Sequence, residues 1–119
     1  MKKVDVEKSK TQMRRGILEF CVLSIIAQNE KYPSEIIKEM KKANLLVVEG
    51  TLYPLLTRLK NANLLTYRWE ESKSGPPRKY YRLTTEGEHF KDALEITWQE
   101  LNLAVNSIHS KTINLDSHE

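Results

Sequence analysis

Residues Glu49–Asn63 read EGTLYPLLTRLKNAN and combine two kinds of side chain. Leucines recur at spacings of three and four, which predicts one apolar side of a helix (Leu52, Leu55, Leu56 and Leu59). The other side carries hydroxyls, an aromatic ring and cations (Thr51, Tyr53, Thr57, Arg58 and Lys60). Such a helix can dock on a scaffold by its back and meet DNA phosphates and base edges with its front. Taken alone, the stretch fits an ordinary amphipathic helix with a solvated front equally well.

The composition indicates one domain with a modest core. The 119 residues are 39% hydrophobic and 29% charged, which is typical of a globular protein. The chain has no run of 18 apolar residues, and its first residues, MKKVDVEKSKTQ, lack the apolar stretch of a signal peptide. We therefore expect a cytoplasmic protein without a membrane span, in which the single cysteine, Cys21, is a small core residue.

The net charge of +3 conceals two blocks of opposite sign. Residues 1–84 carry 17 Lys and Arg against 9 Asp and Glu, whereas residues 85–119 carry 2 against 7. This distribution predicts that the first block faces a polyanion and that the second block stays clear of it.

Helical periodicity extends to the segments before the central stretch. We expect a flexible lead-in over residues 1–9 and a first helix over Lys10–Asn29. A second helix is expected over Ser34–Ala43, with Ser34 as its candidate N-cap. The apolar link Leu45–Val48 is interpreted as a short strand that makes one or two pairs.

After the central helix the period changes to two. This change predicts two strands, Leu64–Glu71 and Arg78–Thr84, around the turn SKSGPP. Tyr80 and Tyr81 alternate faces, so one is expected in the core and the other outside. Thr84 or Thr85 is then expected to cap a long last helix with acidic residues in its first turn.

The order of these elements is that of a winged helix-turn-helix over residues 10–84. A dimerisation helix is expected over residues 85–112, followed by a flexible tail over residues 113–119. The predicted fold class is therefore mainly α with a small β-hairpin (α+β), in which the third helix reads DNA and the hairpin wing rests on the flanking backbone.

Two motifs carry a resemblance to a known family: GTLYPLLTRLKNANLL (Gly50–Leu65) and GPPRKYYRLTTEG (Gly75–Gly87). With the upstream segment Arg14–Met40, they closely resemble the PadR family of bacterial transcriptional regulators. A single long C-terminal helix is similar to the short subgroup, whose members are homodimeric repressors, many of them released from DNA by aromatic effectors. Asn63 stands where the family usually has glycine, and asparagine tolerates the same left-handed geometry.

Ten residues are candidates for DNA contact: Ser34, Lys38, Gly50, Thr51, Tyr53, Arg58, Lys60, Lys73, Arg78 and Lys79. Gly50 is expected to allow a close or left-handed approach at the start of the reading helix, and Thr51 to cap that helix. Pro54 is expected in the first helical turn. Structural alternatives stay open, because Tyr53 fits a half-buried core position and Arg58 fits solvent exposure or an ion pair with Glu49 or Glu39.

The last helix carries an apolar stripe over more than four turns (Phe90, Leu94, Trp98, Leu101, Val105 and Ile108). A second chain is expected to cover it, which would place two reading helices about one DNA turn apart on an inverted repeat. In some members of the short subgroup, paired tryptophans on this helix hold flat aromatic molecules, which makes Leu94, Trp98, Leu101 and Val105 candidates for effector and dimer contacts. Trp98 fits a plain dimer-core anchor as well.

The sequence argues against an enzyme. The three histidines, His89, His109 and His118, lack a nearby nucleophile or metal-ligand spacing, and no phosphate loop, HExxH or CxxC is present. We expect no cofactor and no metal. The predicted function is a sequence-specific DNA-binding regulator, a homodimeric repressor released by a small aromatic effector. The alternative is a winged-helix module that contacts proteins without binding DNA.

Overall fold

The computed structural model describes residues 5–117, with side chains described for residues 5–111. Four helices and one hairpin follow in the order α1 (Val6–Gln28), α2 (Pro33–Lys42), α3 (Glu49–Asn61), β1 (Leu65–Ser72), β2 (Gly75–Leu83) and α4 (Thr85–Ser117). The two strands pair antiparallel. This arrangement confirms the predicted mainly α fold with a small hairpin and a long last helix.

One apolar core lies between the first three helices and the hairpin. Its buried members are Val22, Leu23, Ile26, Ile36, Met40, Leu52, Leu55, Leu56, Leu59, Leu65 and Tyr81. The four leucines predicted for the back of α3 are all among them, so the apolar side of that helix is confirmed. Burial of this side orients the opposite side of α3 toward solvent.

The first and last helices, α1 and α4, are longer than the sequence pattern predicts. Helix α1 begins at Val6 rather than Lys10, because the Asp5 carboxylate accepts a hydrogen bond from the Lys8 N–H at 3.2 Å and caps the helix. Helix α4 continues to Ser117, past the predicted end at residue 112. The outermost parts of the predicted lead-in and tail, residues 1–4 and 118–119, lie outside the described residues.

Helix α2 begins one residue earlier than predicted, and Ser34 does not cap it. Tyr32 is the N-cap and Pro33 occupies the first helical position. The Glu35 carboxylate accepts a hydrogen bond from the Tyr32 N–H at 2.9 Å, which is one half of a capping box. Pro33 has no N–H to satisfy and suits this position, which explains the earlier start.

The predicted strand at Leu45–Val48 is wrong. Asn44 turns with φ 62° after α2, and the following link forms no strand. The additional pairing to the hairpin comes instead from Lys31, whose N–H donates to the Tyr81 carbonyl at 2.9 Å and whose carbonyl accepts from the Tyr81 N–H at 2.8 Å. The sequence pattern missed it because a single bridging residue leaves no periodic signal.

The start of α3 also differs from the prediction. Val48 is the N-cap, and Thr51 lies within the first turn, where its N–H donates to the Val48 carbonyl at 3.0 Å. Gly50 is helical rather than left-handed, since no glycine among the described residues has a positive φ. Pro54 lies inside the helix rather than in its first turn. Its ring nitrogen cannot donate to the Gly50 carbonyl four residues earlier.

The hairpin turn is shorter than predicted. β1 ends at Ser72 and β2 begins at Gly75, so Lys73 and Ser74 alone form the turn. Pro76 and Pro77 belong to β2 and lie opposite the register shift between Glu70 and Ser72, where the strands form no regular ladder pair that would need their missing N–H groups.

A tight junction fixes the start of α4 to the end of α3. Asn63 has φ 63°, which confirms the left-handed geometry expected there. Thr84 Oγ1 donates to the Asn63 carbonyl at 2.7 Å and accepts from the Gly87 N–H at 2.9 Å, so Thr84 is the cap of α4. Gly87 is buried, and a Cβ at this position would lie 2.0 Å from the Leu64 carbonyl oxygen.

Candidate nucleic-acid interface

The front of α3 is exposed along its whole length. Tyr53 is 46% exposed and does not belong to the buried core, which argues against the structural alternative for this residue. Thr57 lies one turn further along and is exposed as well. Gly50, Thr51, Arg58 and Lys60 are also exposed.

Arg58 lies on the flank of α3 that faces α1. Its Nη2 donates to Glu19 Oε2 at 3.2 Å. The expected pairings with Glu49 or Glu39 are not formed. Glu49 is nine residues, or two and a half turns, from Arg58 and therefore lies on the opposite side of α3. Glu39 pairs with Lys42 within α2 at 3.4 Å.

A cleft of about 360 Å³ separates α3 from the hairpin. It is lined by hydroxyl, aromatic and cationic side chains from three elements: Ser34, Tyr53, Thr57, Trp69, Arg78 and Lys79, with Pro33, Pro77 and Tyr81. Four of the ten predicted DNA-contact residues therefore meet in this cleft, which we call the wing cleft. Gly50, Thr51 and Arg58 line a separate cleft against α1.

The remaining three predicted residues lie outside both clefts. Lys38 is exposed on α2 and Lys73 in the hairpin turn. The Lys60 ammonium lies 5.7 Å from the centre of the Tyr67 ring, which places a cation of α3 beside β1.

The two faces of the hairpin carry different cations. The inner face holds Tyr67, Trp69, Lys79 and Tyr81, and the outer face holds Arg68, Glu70, Arg78 and Tyr80. On the inner face, Lys79 pairs with Trp69 across the strands and its ammonium lies 4.6 Å from the centre of the Tyr67 ring. Arg78 pairs with Glu70 on the opposite, outer face, and its guanidinium lies 4.6 Å from the centre of the Tyr32 ring, although Arg78 also contributes to the lining of the wing cleft. These cation–π contacts hold the charges near the surface without neutralising them.

Of the two neighbouring tyrosines of β2, one lies in the core as predicted, whereas the other is half-buried rather than exposed. Tyr81 is 4% exposed, and burial raises the pKa of its phenol. Tyr80 is half-buried on the outer face, where its ring centre lies 4.4 Å from that of Tyr32. Tyr81 thus anchors the hairpin in the core, Leu83 packs against the same core, and the first four residues of β2 are exposed.

Two exposed residues of the wing cleft with a hydroxyl or aromatic side chain, Thr57 and Trp69, were absent from the ten candidates. Thr57 follows Tyr53 by four residues, and that spacing on one helix face was available in the sequence. Trp69 follows Tyr67 by two residues, so its position on the same face of the strand was predictable. Its exposure of 60% was not, because strand alternation does not say where the core ends.

The apolar stripe of α4 is largely uncovered within one chain. Leu94 is half-buried against the core, whereas Trp98, Leu101 and Val105 are 40%, 54% and 60% exposed. Trp98 also lines a cleft of about 110 Å³ between α1 and α4, together with Gly16, Phe20, Leu94 and Leu101. Every residue from 95 to 111 is exposed.

The described residues contain no catalytic constellation. Among the side chains of residues 5–111, no three His, Cys, Asp or Glu residues form a group that could hold a metal ion. Burial raises the pKa of the Cys21 thiol, so the reactive thiolate is disfavoured. No helix in this part of the chain is long and apolar enough to span a membrane.

A helix-turn-helix with an exposed third helix and a cationic hairpin is a winged-helix DNA-binding protein. The family profile of the transcriptional regulator PadR-like family matches residues 22–93. A PadR-like transcription factor of Bacteroides fragilis is 56% identical, with 85% of this chain and 98% of that chain aligned and a TM-score of 0.72. The chain belongs to the PadR family.

Two further structures agree with this assignment. A PadR family transcriptional regulator of Eggerthella lenta is 33% identical over 87% of this chain and 90% of that chain, with a TM-score of 0.79. A PadR-like regulator of Bacillus cereus is 37% identical over 82% and 95%, with a TM-score of 0.72. The protein is thus a DNA-binding transcriptional regulator and not an enzyme. The alternative, a winged-helix module that contacts proteins without binding DNA, has no support from these relatives.

Proposed function

We propose that the protein is a cytoplasmic, homodimeric repressor that binds an inverted-repeat operator and is released by a small flat aromatic molecule. The observation that carries this proposal is the exposed apolar stripe on α4. Trp98, Leu101 and Val105 follow one another at spacings of three and four, and each is at least 40% exposed. Contiguous apolar surface of this kind is typical of an interface.

A second copy of the chain is the partner that fits this stripe. Pairing of α4 with its symmetry mate would cover the same side chains on both chains, as a two-fold interface requires. It would also set two copies of α3 apart at a fixed distance, and a two-fold protein matches a two-fold DNA site. Repression would follow from occupancy of the operator.

On the DNA, the front of α3 would enter the major groove and the hairpin would rest on the flanking backbone. We assign base-edge and phosphate contacts to Tyr53, Arg58 and Lys60, and backbone contacts to Ser34 and Lys38. Gly50 and Thr51 would lie closest to the backbone at the start of α3, and the wing cations Lys73, Arg78 and Lys79 would meet flanking phosphates. Each neutralised phosphate contributes about −0.9 to the slope of log K against log salt.

The effector would bind beside Trp98 at the centre of the dimer. The cleft between α1 and α4 measures about 110 Å³. A cavity that holds benzene measures roughly 150 Å³, so this cleft of one chain is too small for a substituted ring. Two facing copies would enlarge it, and the exposed carboxylates of Asp92, Glu95 and Glu100 nearby would favour a cationic compound.

The dimer can be tested by sedimentation of matched α4 variants. Wild type is expected at about twice the chain mass of 13.9 kDa. Leu101→Glu places a charge in the stripe and should give the single-chain mass and weaker operator binding. Gln99→Glu adds the same charge on the opposite side of α4 and should remain dimeric. Equal masses for both variants would exclude the stripe as the interface.

Effector binding can be tested by fluorescence of Trp98 in a Trp69→Phe background. A panel of flat aromatic compounds is titrated with and without duplex DNA from the protein's own upstream region. Saturable quenching that also weakens DNA binding is the expected result. Absence of quenching with intact, salt-dependent DNA binding would show that Trp98 is only a core residue of the interface.

A further inference from the structure

Trp69 is the most exposed aromatic side chain of the hairpin. On the inner face, three aromatic residues follow one another from the core outward: Tyr81, Tyr67 and Trp69. Tyr81 is buried and Tyr67 half-buried, whereas Trp69 is 60% exposed. The Tyr67 and Trp69 rings meet edge to face, with centres 6.0 Å apart at 88°. The indole is therefore oriented by its neighbour, and much of its surface remains free.

A cation stands directly beside this indole. Lys79 is the cross-strand partner of Trp69, and its ammonium lies 5.6 Å from the indole centre and 4.6 Å from the Tyr67 ring centre. Among the described side chains no carboxylate lies within ion-pair distance of Lys79, so its charge stays available. The inner face of the hairpin thus presents a cation and an apolar plane side by side.

Hydroxyl groups line the opposite side of the same cleft. Ser34 comes from the first turn of α2, and Tyr53 and Thr57 lie one turn apart on the front of α3. All three are exposed. Hydroxyls and lysine ammonium groups are common donors to DNA phosphate oxygens, while a flat apolar side chain can cover a sugar or a base.

We propose that the wing cleft holds one sugar–phosphate strand of the operator, with the Trp69 ring packed on a deoxyribose and Lys79 on the adjacent phosphate. The hydroxyls of Ser34, Tyr53 and Thr57 donate to phosphate oxygens from the other side of the cleft. This inference rests on DNA binding by the front of α3. Because the contact of Trp69 with the deoxyribose is apolar, its contribution to the affinity for DNA should not depend on the salt concentration.

The chemistry of the cleft favours a nucleic-acid strand over a small aromatic ligand. The cleft is open to solvent along the protein surface and has cations at one side and hydroxyls at the other. Its inner aromatic faces are already occupied, since Tyr67 and Tyr81 pack on each other with ring centres 5.5 Å apart. Two aromatic side chains of the cleft remain exposed, Trp69 on the hairpin and Tyr53 on α3, and the cleft between them is open to solvent.

The salt dependence of binding separates the roles of Trp69 and Lys79. The affinity of the full chain for a labelled upstream duplex is measured by anisotropy over a series of salt concentrations. Trp69→Ala is expected to weaken binding about tenfold at every salt concentration with an unchanged slope, because an aromatic contact is apolar. Lys79→Gln should instead make the slope shallower by about 0.9 for each phosphate that the protein no longer neutralises.

Matched controls stand on the same hairpin. Trp69→Phe keeps an aromatic plane and should retain most of the affinity. Arg82→Gln removes a charge from the outer face of β2, two residues beyond Tyr80, and should change the slope much less than Lys79→Gln. Circular dichroism melting confirms that each variant is folded before it is compared.

Quenching of tryptophan fluorescence gives an independent test. Trp69 emission is isolated as the difference in acrylamide quenching between wild type and Trp69→Phe, with and without the duplex. Protection of Trp69 by the duplex supports the proposal. An unprotected Trp69, an unchanged affinity of Trp69→Ala, or a Trp69→Ala defect that vanishes at high salt would overturn it while leaving DNA binding intact. Absence of any duplex binding by wild type would instead contradict the DNA-binding function itself.

Discussion

Substitution of Gly87 by alanine is expected to damage the junction between the DNA-binding domain and α4. Gly87 lies in the first turn of α4 against the backbone of Leu64. An added Cβ would lie 2.0 Å from the Leu64 carbonyl oxygen and 3.3 Å from Thr84 Oγ1, whereas ordinary contact begins at 3.4 Å. The Leu64 backbone cannot rotate away as a flexible side chain would, so α4 must move by more than an ångström.

The cost follows from the hydrogen bonds that such a movement breaks. Overpacking costs about 1–3 kcal/mol. The hydrogen bonds from the Thr84 N–H to the Leu64 carbonyl at 3.1 Å and from Thr84 Oγ1 to the Asn63 carbonyl at 2.7 Å would weaken together. Each contributes about 1 kcal/mol, and alanine returns about 1 kcal/mol of helix propensity. The expected net loss is about 2–4 kcal/mol in the free energy of unfolding.

Urea unfolding at one fixed chain concentration measures this loss. The transition midpoint of Gly87→Ala should fall with little change in slope. Gly50→Ala is the matched control, because nothing lies within 4 Å of an added Cβ there and the substitution should raise stability by up to about 1 kcal/mol. A Gly87→Ala stability within about 0.5 kcal/mol of wild type would refute the steric argument.

Three further predictions concern the start of α3, its ion pair with α1, and the cysteine of α1. Gly50→Ala should weaken operator binding about tenfold in an anisotropy titration, because the proposed complex brings the DNA backbone close to Gly50. An unchanged affinity would contradict this close approach. Glu19→Gln removes the ion pair with Arg58, whose side chain is 62% exposed, and should change the free energy of unfolding by less than about 1 kcal/mol in urea titrations. Cys21 should react with a thiol reagent more slowly in the folded than in the urea-unfolded chain at any pH below its raised pKa, because the folded thiol carries less thiolate; equal rates would contradict its burial.

Periodicity predicted the faces of the elements well because burial of one side fixes the other. The four leucines of α3 lie in the core, and the front of the helix is exposed in consequence. The threonine cap of α4 was predictable for a local reason, since Thr84 Oγ1 accepts from the N–H of Gly87 three residues later. The left-handed Asn63 was expected from the family resemblance, because asparagine tolerates the geometry of the usual glycine. The start of α2 is also fixed by a local contact, in which the Glu35 carboxylate accepts from the Tyr32 N–H, but the prediction named Ser34 as the N-cap of this helix.

Contacts between distant segments could not be predicted from spacing. The Lys31 bridge to Tyr81 and the Arg58 pair with Glu19 join residues about 40 or more positions apart, and a one-dimensional pattern holds no information on such pairs. The exposure of Trp69 belongs to the same class, because it depends on where the hairpin leaves the core. The candidate site was therefore predictable as a set of cations and hydroxyls, but not as two separate clefts.

The proposed complex has two chains on one operator, which bind it through α3 and the hairpin and are held together by α4. It is tested most directly by anisotropy titration of a labelled upstream duplex above the dissociation constant, followed by a salt series. We predict saturation at two chains per duplex and a log affinity that falls by about 0.9 per phosphate contact for each tenfold rise in salt. Saturation at one chain, or an affinity that is equal for a scrambled duplex and insensitive to salt, would contradict it.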